Sequence, residues 1–239
     1  MPFTHSHGSF SEWKEQTWEC FFLIENSFPL SQRFELNDFF PLTEKLLDLI
    51  YCSSSVASLS YNQLTQYALF VMFLLKSTLY FDRSFSADMQ QKDSKLILMH
   101  ADLYLVQGGI EFSKIHEHRR CQKLLDETLN YIATNYQVMY NRKTLSSKIK
   151  VTLSNRYGAL VYCAIAGLFL VSGISSFPEK LFYSFSRAYG LLLCLEHHEL
   201  LSLSQEGSTQ LITHSHKVLS ILQDNPLELS FLSHLSSDI

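Results

Sequence analysis

The chain has 239 residues, 46% of them hydrophobic and 18% charged, and carries a net charge of −4. That length holds one large domain or two small ones around a sizeable core. The charge, with no basic stripe along the chain, excludes a nucleic-acid footprint. Five widely spaced cysteines (Cys20, Cys52, Cys121, Cys163, Cys194) form no C-x-x-C pair, which predicts reduced thiols and a cytoplasmic protein. The stretch Met1–Gly8 has no basic region followed by an apolar run, so no signal peptide is expected there.

With only eight glycines and five prolines, breakers are few and the helices should be long. Strand patterning is almost absent, and the reading is a single all-α domain over 1–239 with eight or nine helices. Ser11–Glu25 is the first, with Trp13, Trp18, Phe21 and Phe22 on one apolar face. Pro41 and Thr43 open the second, whose inner stripe is Leu46, Leu47, Ile50 and Tyr51. These two N-terminal helices occupy 1–59. Ser60 or Asn62 caps a third helix over 61–82, and its all-round apolar run Tyr67–Leu75 predicts a central position.

Residues 83–93 are polar and read as a loop, after which Asp93 or Ser94 caps a fourth helix over 95–114. The pair Gly108-Gly109 inside it disfavours a helix unless close packing compensates. A charged fifth helix runs over 117–141 and should be more exposed. Ser146 to Ser172 follows, a polar lead-in and then most of the uncharged stretch Tyr157–Phe177. That stretch is long enough for a membrane span, but its Gly, Ala, Ser and Cys content and lack of basic flanks favour a buried core helix. Helices over 179–204 and 208–223 complete the chain.

Four landmarks within 60–222 resemble the trans-prenyltransferases, the polyprenyl diphosphate synthases. The apolar helix ending Leu79-Tyr-Phe-Asp82-Arg83-Ser84-Phe85-Ser86 stands where that family has D-D-x-x-D. Leu98-Met-His-Ala-Asp102-Leu-Tyr104 resembles I-L-x-G-D-Y-L, with Ala101 for Gly and the Tyr displaced by one. Arg156-Tyr-Gly-Ala-Leu160 stands at K-T-A-x-L. Tyr189-Gly190, followed by Glu196-His197-His198-Glu199, stands at the second acidic motif, where strict spacing puts Leu201, Ser202 and Gln205 on the three acids.

The resemblance implies an all-α, isoprenoid-synthase-like bundle without the family's chemistry. Two Asp clusters there hold Mg²⁺ against a diphosphate leaving group. Here the first is reduced to Asp82 beside Arg83, and the second is gone. Degenerate motif positions are therefore Asp82, Arg83, Asp102, Arg156 and His198, with no catalytic and no metal-binding residue. In this the chain resembles the small, non-catalytic subunits of heterodimeric synthases, such as heptaprenyl diphosphate synthase component I. That implies a catalytic partner with intact Asp-rich motifs, Mg²⁺ on that partner only, and contact with isoprenoid diphosphate only through it. It also implies control of product length on the way to menaquinone side chains.

Individual residues keep two readings. A lone carboxylate beside Arg favours an ion pair over a magnesium site. Asp102 and Tyr104 read as structural hydrogen-bonding groups in preference to ligands. Arg156 suits a phosphate through its guanidinium, or is a solvated helix-end residue. Glu196-His-His-Glu199 lacks the spacing of a zinc or di-iron helix. Tyr104, Gln107, Gly108 and Gly109 form a candidate partner interface. Leu74, Leu75, Thr78 and Leu79 form a candidate chain-length wall or simply fill the core. The alternatives to the subunit reading are a partner-independent helical protein that binds another apolar small molecule, or a membrane-associated one using Tyr157–Ile174.

Overall fold

The computed structural model describes residues 9–28, 36–54, 57, 59–84, 91–115, 118–140, 147–174 and 179–197. Among these, seven helices and no strand are found: α1 (Phe10–Asn26), α2 (Phe39–Ser54), α3 (Tyr61–Ser84), α4 (Gln91–Ser113), α5 (His118–Tyr140), α6 (Ser147–Val171) and α7 (Glu179–His197). The expected helix over 208–223 and the end of the one over 179–204 lie outside the described residues.

Local chemistry sets several of the ends. Ser9 and Glu12 form a reciprocal capping box at α1, and Ser60 with Gln63 does the same at α3, through Gln63 N–H to Ser60 Oγ at 3.3 Å and Ser60 N–H to Gln63 Oε1 at 3.0 Å. Ser60 rather than Asn62 is thus the cap. α2 begins two residues before Pro41, whose missing N–H falls harmlessly in the first turn. α4 begins at Gln91, earlier than expected, so Asp93 sits in its first turn, where the helix dipole favours an acid. The hydroxyl of Ser94 donates instead to the Ser84 carbonyl at 3.0 Å. α6 closes on Gly173 at φ 84°. The Ile174 and Gly173 amides there donate to the Phe169 and Leu170 carbonyls at 2.9 and 3.1 Å. A glycine admits this conformation without a Cβ clash.

The architecture is a stack of antiparallel helix pairs. Phe10 meets Tyr51 and Phe21 meets Phe39, so α1 and α2 form one hairpin. Phe70 meets Phe112 and Tyr80 meets His100, so α3 and α4 form a second. α6 runs antiparallel to both α5 and α7, as Cys121 against Gly167 and Phe169 against Phe182 show. α3 is the element common to the two halves of the molecule, since it packs on α1, α2, α4 and α6. Every residue from Tyr67 to Leu75 is buried, as its all-round apolar sequence predicts. α3 is also the one described helix long and apolar enough to cross a membrane, and here its apolar window is mostly enclosed by protein. The described part of the uncharged stretch in α6 is likewise core: Leu160, Val161, Ala164, Ile165, Ala166 and Leu168 are all buried.

On α1 the buried positions are Trp13, Thr17, Phe21 and Glu25, a strict four-residue spacing. Phe22 is therefore not on the inner face; it lies outside, stacked on Trp18 at 5.4 Å. α5 is amphipathic as its charge suggests, with Cys121, Leu124, Leu125, Thr128 and Ile132 inside and Lys123, Asp126 and Glu127 outside. The described cysteines are free thiols. Burial pushes the Cys163 thiol up to about 12.

Gly108 and Gly109, adjacent in α4, behave oppositely. A Cβ on Gly108 would lie 3.4 Å from Phe73 Cβ, so close packing on α3 explains this glycine; a Cβ on Gly109 would meet nothing within 4 Å. The tightest crossing joins α6 to α7, where a Cβ on Gly190 would fall 2.6 Å from the Tyr157 carbonyl carbon and closer still to Gly158. Gly190→Ala should therefore force the two helices apart and cost about 2–3 kcal/mol, whereas Gly109→Ala should stabilise by up to about 1 kcal/mol. Urea unfolding followed by circular dichroism measures both, and equal effects at the two sites would contradict this packing.

Candidate functional site

The C-terminal end of α3 delivers Asp82 to the middle of α6. Asp82 lies two residues beyond the buried Tyr80 of α3 and is itself only partly exposed. Arg156 lies nine residues into α6, because the polar lead-in from Ser147 is itself helical. Arg156 is wholly buried, and its Nη1 donates to Asp82 Oδ1 in an ion pair. The Tyr157 hydroxyl donates to Asp82 Oδ2 at 3.3 Å. Both carboxylate oxygens are thus engaged by neighbouring groups of one helix. The expectation that Asp82 makes an ion pair holds, but its partner is Arg156 and not the adjacent Arg83, which lies on the exposed side of α3. The picture of Arg156 as a solvated helix-end residue is corrected: it lies inside α6 and its guanidinium is enclosed.

This arrangement does not suit a magnesium ion. Mg²⁺ takes an octahedron of hard oxygens, and here one carboxylate faces a fixed cation and a phenol. Among the described residues no group of three His, Cys, Asp or Glu side chains converges on a point. His198 and the positions of the second acidic motif, Leu201, Ser202 and Gln205, lie outside the described residues.

A second polar cluster, not anticipated from sequence, lies further back along α3. Lys76 pairs with Glu25 of α1, and the Tyr104 hydroxyl of α4 donates to the same carboxylate. The ammonium lies 4.5 Å from the Phe39 ring centroid and 5.0 Å from that of Tyr104, within cation–π range. Three helices are tied together at one nearly dry charge pair. The available signal was Glu25 itself, an acid continuing the Trp13, Thr17, Phe21 stripe at the same spacing. Tyr157 was missed too, although it adjoins Arg156.

The remaining sequence candidates fall as follows. Tyr104 forms a structural hydrogen bond as expected; Asp102 does not join it, and points outward. The candidate partner interface is split by the helix. Tyr104 and Gly108 face α3 and are buried, Gln107 is half-buried and donates to Glu111 Oε1 at 2.8 Å, and Gly109 alone is exposed. Leu74, Leu75, Thr78 and Leu79 are all buried in α3, and the Thr78 hydroxyl donates to the Leu74 carbonyl at 2.9 Å.

No protein-family model matches the chain, and no curated protein matches it by sequence. Solved structures do. A geranyltranstransferase from Thermotoga maritima superposes with a TM-score of 0.66 at 14% identity, covering 96% of this chain and 97% of that one. A deletion mutant of the heterotetrameric geranyl pyrophosphate synthase of mint gives 0.56 at 12% identity, over 88% of this chain and 92% of that one. A geranylgeranyl pyrophosphate synthase gives 0.54 at 16% identity, over 79% of this chain, and there the chain spans only 63% of its counterpart. The chain therefore has the all-α isoprenoid-synthase fold, shared with isoprenyl diphosphate synthases.

Removing one member of the Asp82–Arg156 pair should be costly. Arg156→Met leaves a carboxylate facing apolar surroundings and should lower stability by about 3 kcal/mol, while the double variant Asp82→Leu with Arg156→Met should recover most of that loss. Urea denaturation of the single and double variants provides the comparison; additive losses would show that the two residues are not coupled.

Proposed function

We propose that this chain is the regulatory, non-catalytic subunit of a two-component polyprenyl diphosphate synthase. It would associate with a catalytic chain that keeps both Asp-rich motifs and holds Mg²⁺, and would meet isoprenoid diphosphate only through that partner. The observation that carries the reading is the Asp82–Arg156 ion pair. On an isoprenoid-synthase fold, the surviving acid of the first motif is bound to a guanidinium and closed by Tyr157. A fixed monovalent cation neutralises that carboxylate but offers no open coordination position to a diphosphate.

The sequence of the second motif supports the same reading independently, since Leu201, Ser202 and Gln205 replace its acids. The mint enzyme among the similar structures is heterotetrameric, which supports a partner subunit of related fold. In this reading Leu74, Leu75, Thr78 and Leu79 act by packing: they back the space into which a growing hydrocarbon extends, and so help fix product length. The pathway is menaquinone side-chain synthesis and the compartment is the cytoplasm.

The test is co-expression with the host's synthase chain that carries both Asp-rich motifs. Condensation of isopentenyl diphosphate with farnesyl diphosphate is then assayed for each subunit alone and for the pair, with Mg²⁺ present. The expected outcome is turnover in the pair, none from this chain alone, and a product of defined length. Turnover by this chain alone, or identical activity of the partner with and without it, would overturn the proposal.

A further inference from the structure

We propose that the aromatic edge of the α1–α2 hairpin, Trp18, Phe22 and Leu23 of α1 with Phe40 of α2, is a docking surface for a basic amphipathic helix of another protein. The inference stands on this hairpin alone and does not use the two-component reading.

The edge is a cluster of rings open to solvent on one side. Trp18 stacks on both Phe22 and Phe40, with centroids 5.4 and 5.0 Å away. Phe22, Phe40 and Leu23 are 37%, 52% and 73% exposed. The inner side is fixed. Trp18 meets the buried Phe21 and Phe39 edge-on at 5.8 and 5.9 Å, and its Nε1 donates to Glu44 Oε1 at 2.7 Å. Rings already held in place lose little freedom when a partner covers them, which leaves more of the burial energy for binding.

Charge selects the partner. The described part of the hairpin, 9–28 and 36–54, carries seven carboxylates and two lysines, a formal −5, where the whole chain is −4. The excess of negative charge therefore sits on these two helices. One of the two lysines, Lys14, is already committed to Glu44 and Asp48. Glu15 and Glu19 are exposed and one turn apart, as are Trp18 and Phe22, so an acidic row runs along α1 beside the aromatic one.

Two parallel rows at helical pitch suit a helix with an apolar stripe and Lys or Arg residues beside it. Each cation there meets a carboxylate and the face of a ring together. The charge disfavours other occupants. A second copy of this chain would bring one acidic hairpin against another, and an anionic bilayer attracts helices with a basic face, which α1 and α2 lack.

The experiment uses the full chain, whose two tryptophans are Trp13 and Trp18. Trp13 is fully buried, so contact at the edge is read from Trp18 emission. The probe is a labelled helical peptide with a leucine stripe flanked by lysines, compared with its glutamate counterpart, and affinity is measured by fluorescence anisotropy. The expected result is binding of the lysine peptide alone, with a shift in Trp18 emission. Phe40→Gln and Glu19→Lys should each weaken it about tenfold, while Ile110→Asp, at an exposed residue of α4, should not. Melting temperatures are recorded for every variant; Leu23→Gln, at a residue too exposed to support the fold, carries the comparison if Phe40→Gln lowers melting. Absence of binding, equal binding of the glutamate peptide, or binding that the edge variants preserve would overturn the proposal. So would a homodimer, or attachment to phosphatidylglycerol vesicles, that Phe40→Gln abolishes, since the occupant would then be a second copy or a membrane.

Discussion

The structure depends on one constraint: α3 has no polar face. From Tyr67 to Leu75 it offers only apolar or aromatic surface, and a helix of that kind is stable in water only when other elements enclose it. α1, α2, α4 and α6 supply the enclosure. Apolar burial is non-directional and would by itself allow these helices to slide and rotate. Their register comes from the few polar groups α3 carries. The Tyr67 hydroxyl donates to the Cys163 carbonyl of α6, Ser77 Oγ to the Ala101 carbonyl of α4 at 2.8 Å, Lys76 pairs with Glu25 of α1, and Asp82 with Arg156 of α6. An unmatched polar group in this interior costs far more than a matched one gains, so each of these contacts excludes neighbouring registers rather than adding much stability.

What could be read from the residues follows from this division. The helices were legible, because their period, their caps and the scarcity of breakers are local properties; α1, α3, α5 and α6 fall within a residue or two of their expected bounds. The central place of α3 was legible from its uniform apolarity. α2 and α4 begin two residues before Pro41 and Asp93, because both residues are tolerated or favoured inside a first turn and so mark no boundary.

Less of the site was legible. At the positions the resemblance assigns to the two motifs the sequence offers Asp82 and otherwise no acid, but it does not show that Arg156, 74 residues from Asp82, is its partner. That pairing depends on the antiparallel crossing of α3 and α6, a tertiary fact. Nor does sequence distinguish Gly108 from Gly109. The two share a dipeptide, and the 100° turn between consecutive helical positions sends one into α3 and the other into open space. The helical turn likewise divides the four residues expected at an interface: Tyr104 and Gly108 pack against α3, Gln107 is half-buried and Gly109 is exposed.

The contrast between the two charged clusters on α3 bears on what this fold has become. In both, a carboxylate is matched to a cation carried on a neighbouring helix and closed by a tyrosine hydroxyl: Glu25 with Lys76 and Tyr104, Asp82 with Arg156 and Tyr157. The first ties α1, α3 and α4 together deep in the molecule, a structural role. The second repeats the same chemistry at the end of α3, where a metal-dependent member of this fold would keep its acids open to exchangeable ions. A divalent cation held by several oxygens can bind and release a ligand; here the Arg156 guanidinium is paired with the Asp82 carboxylate.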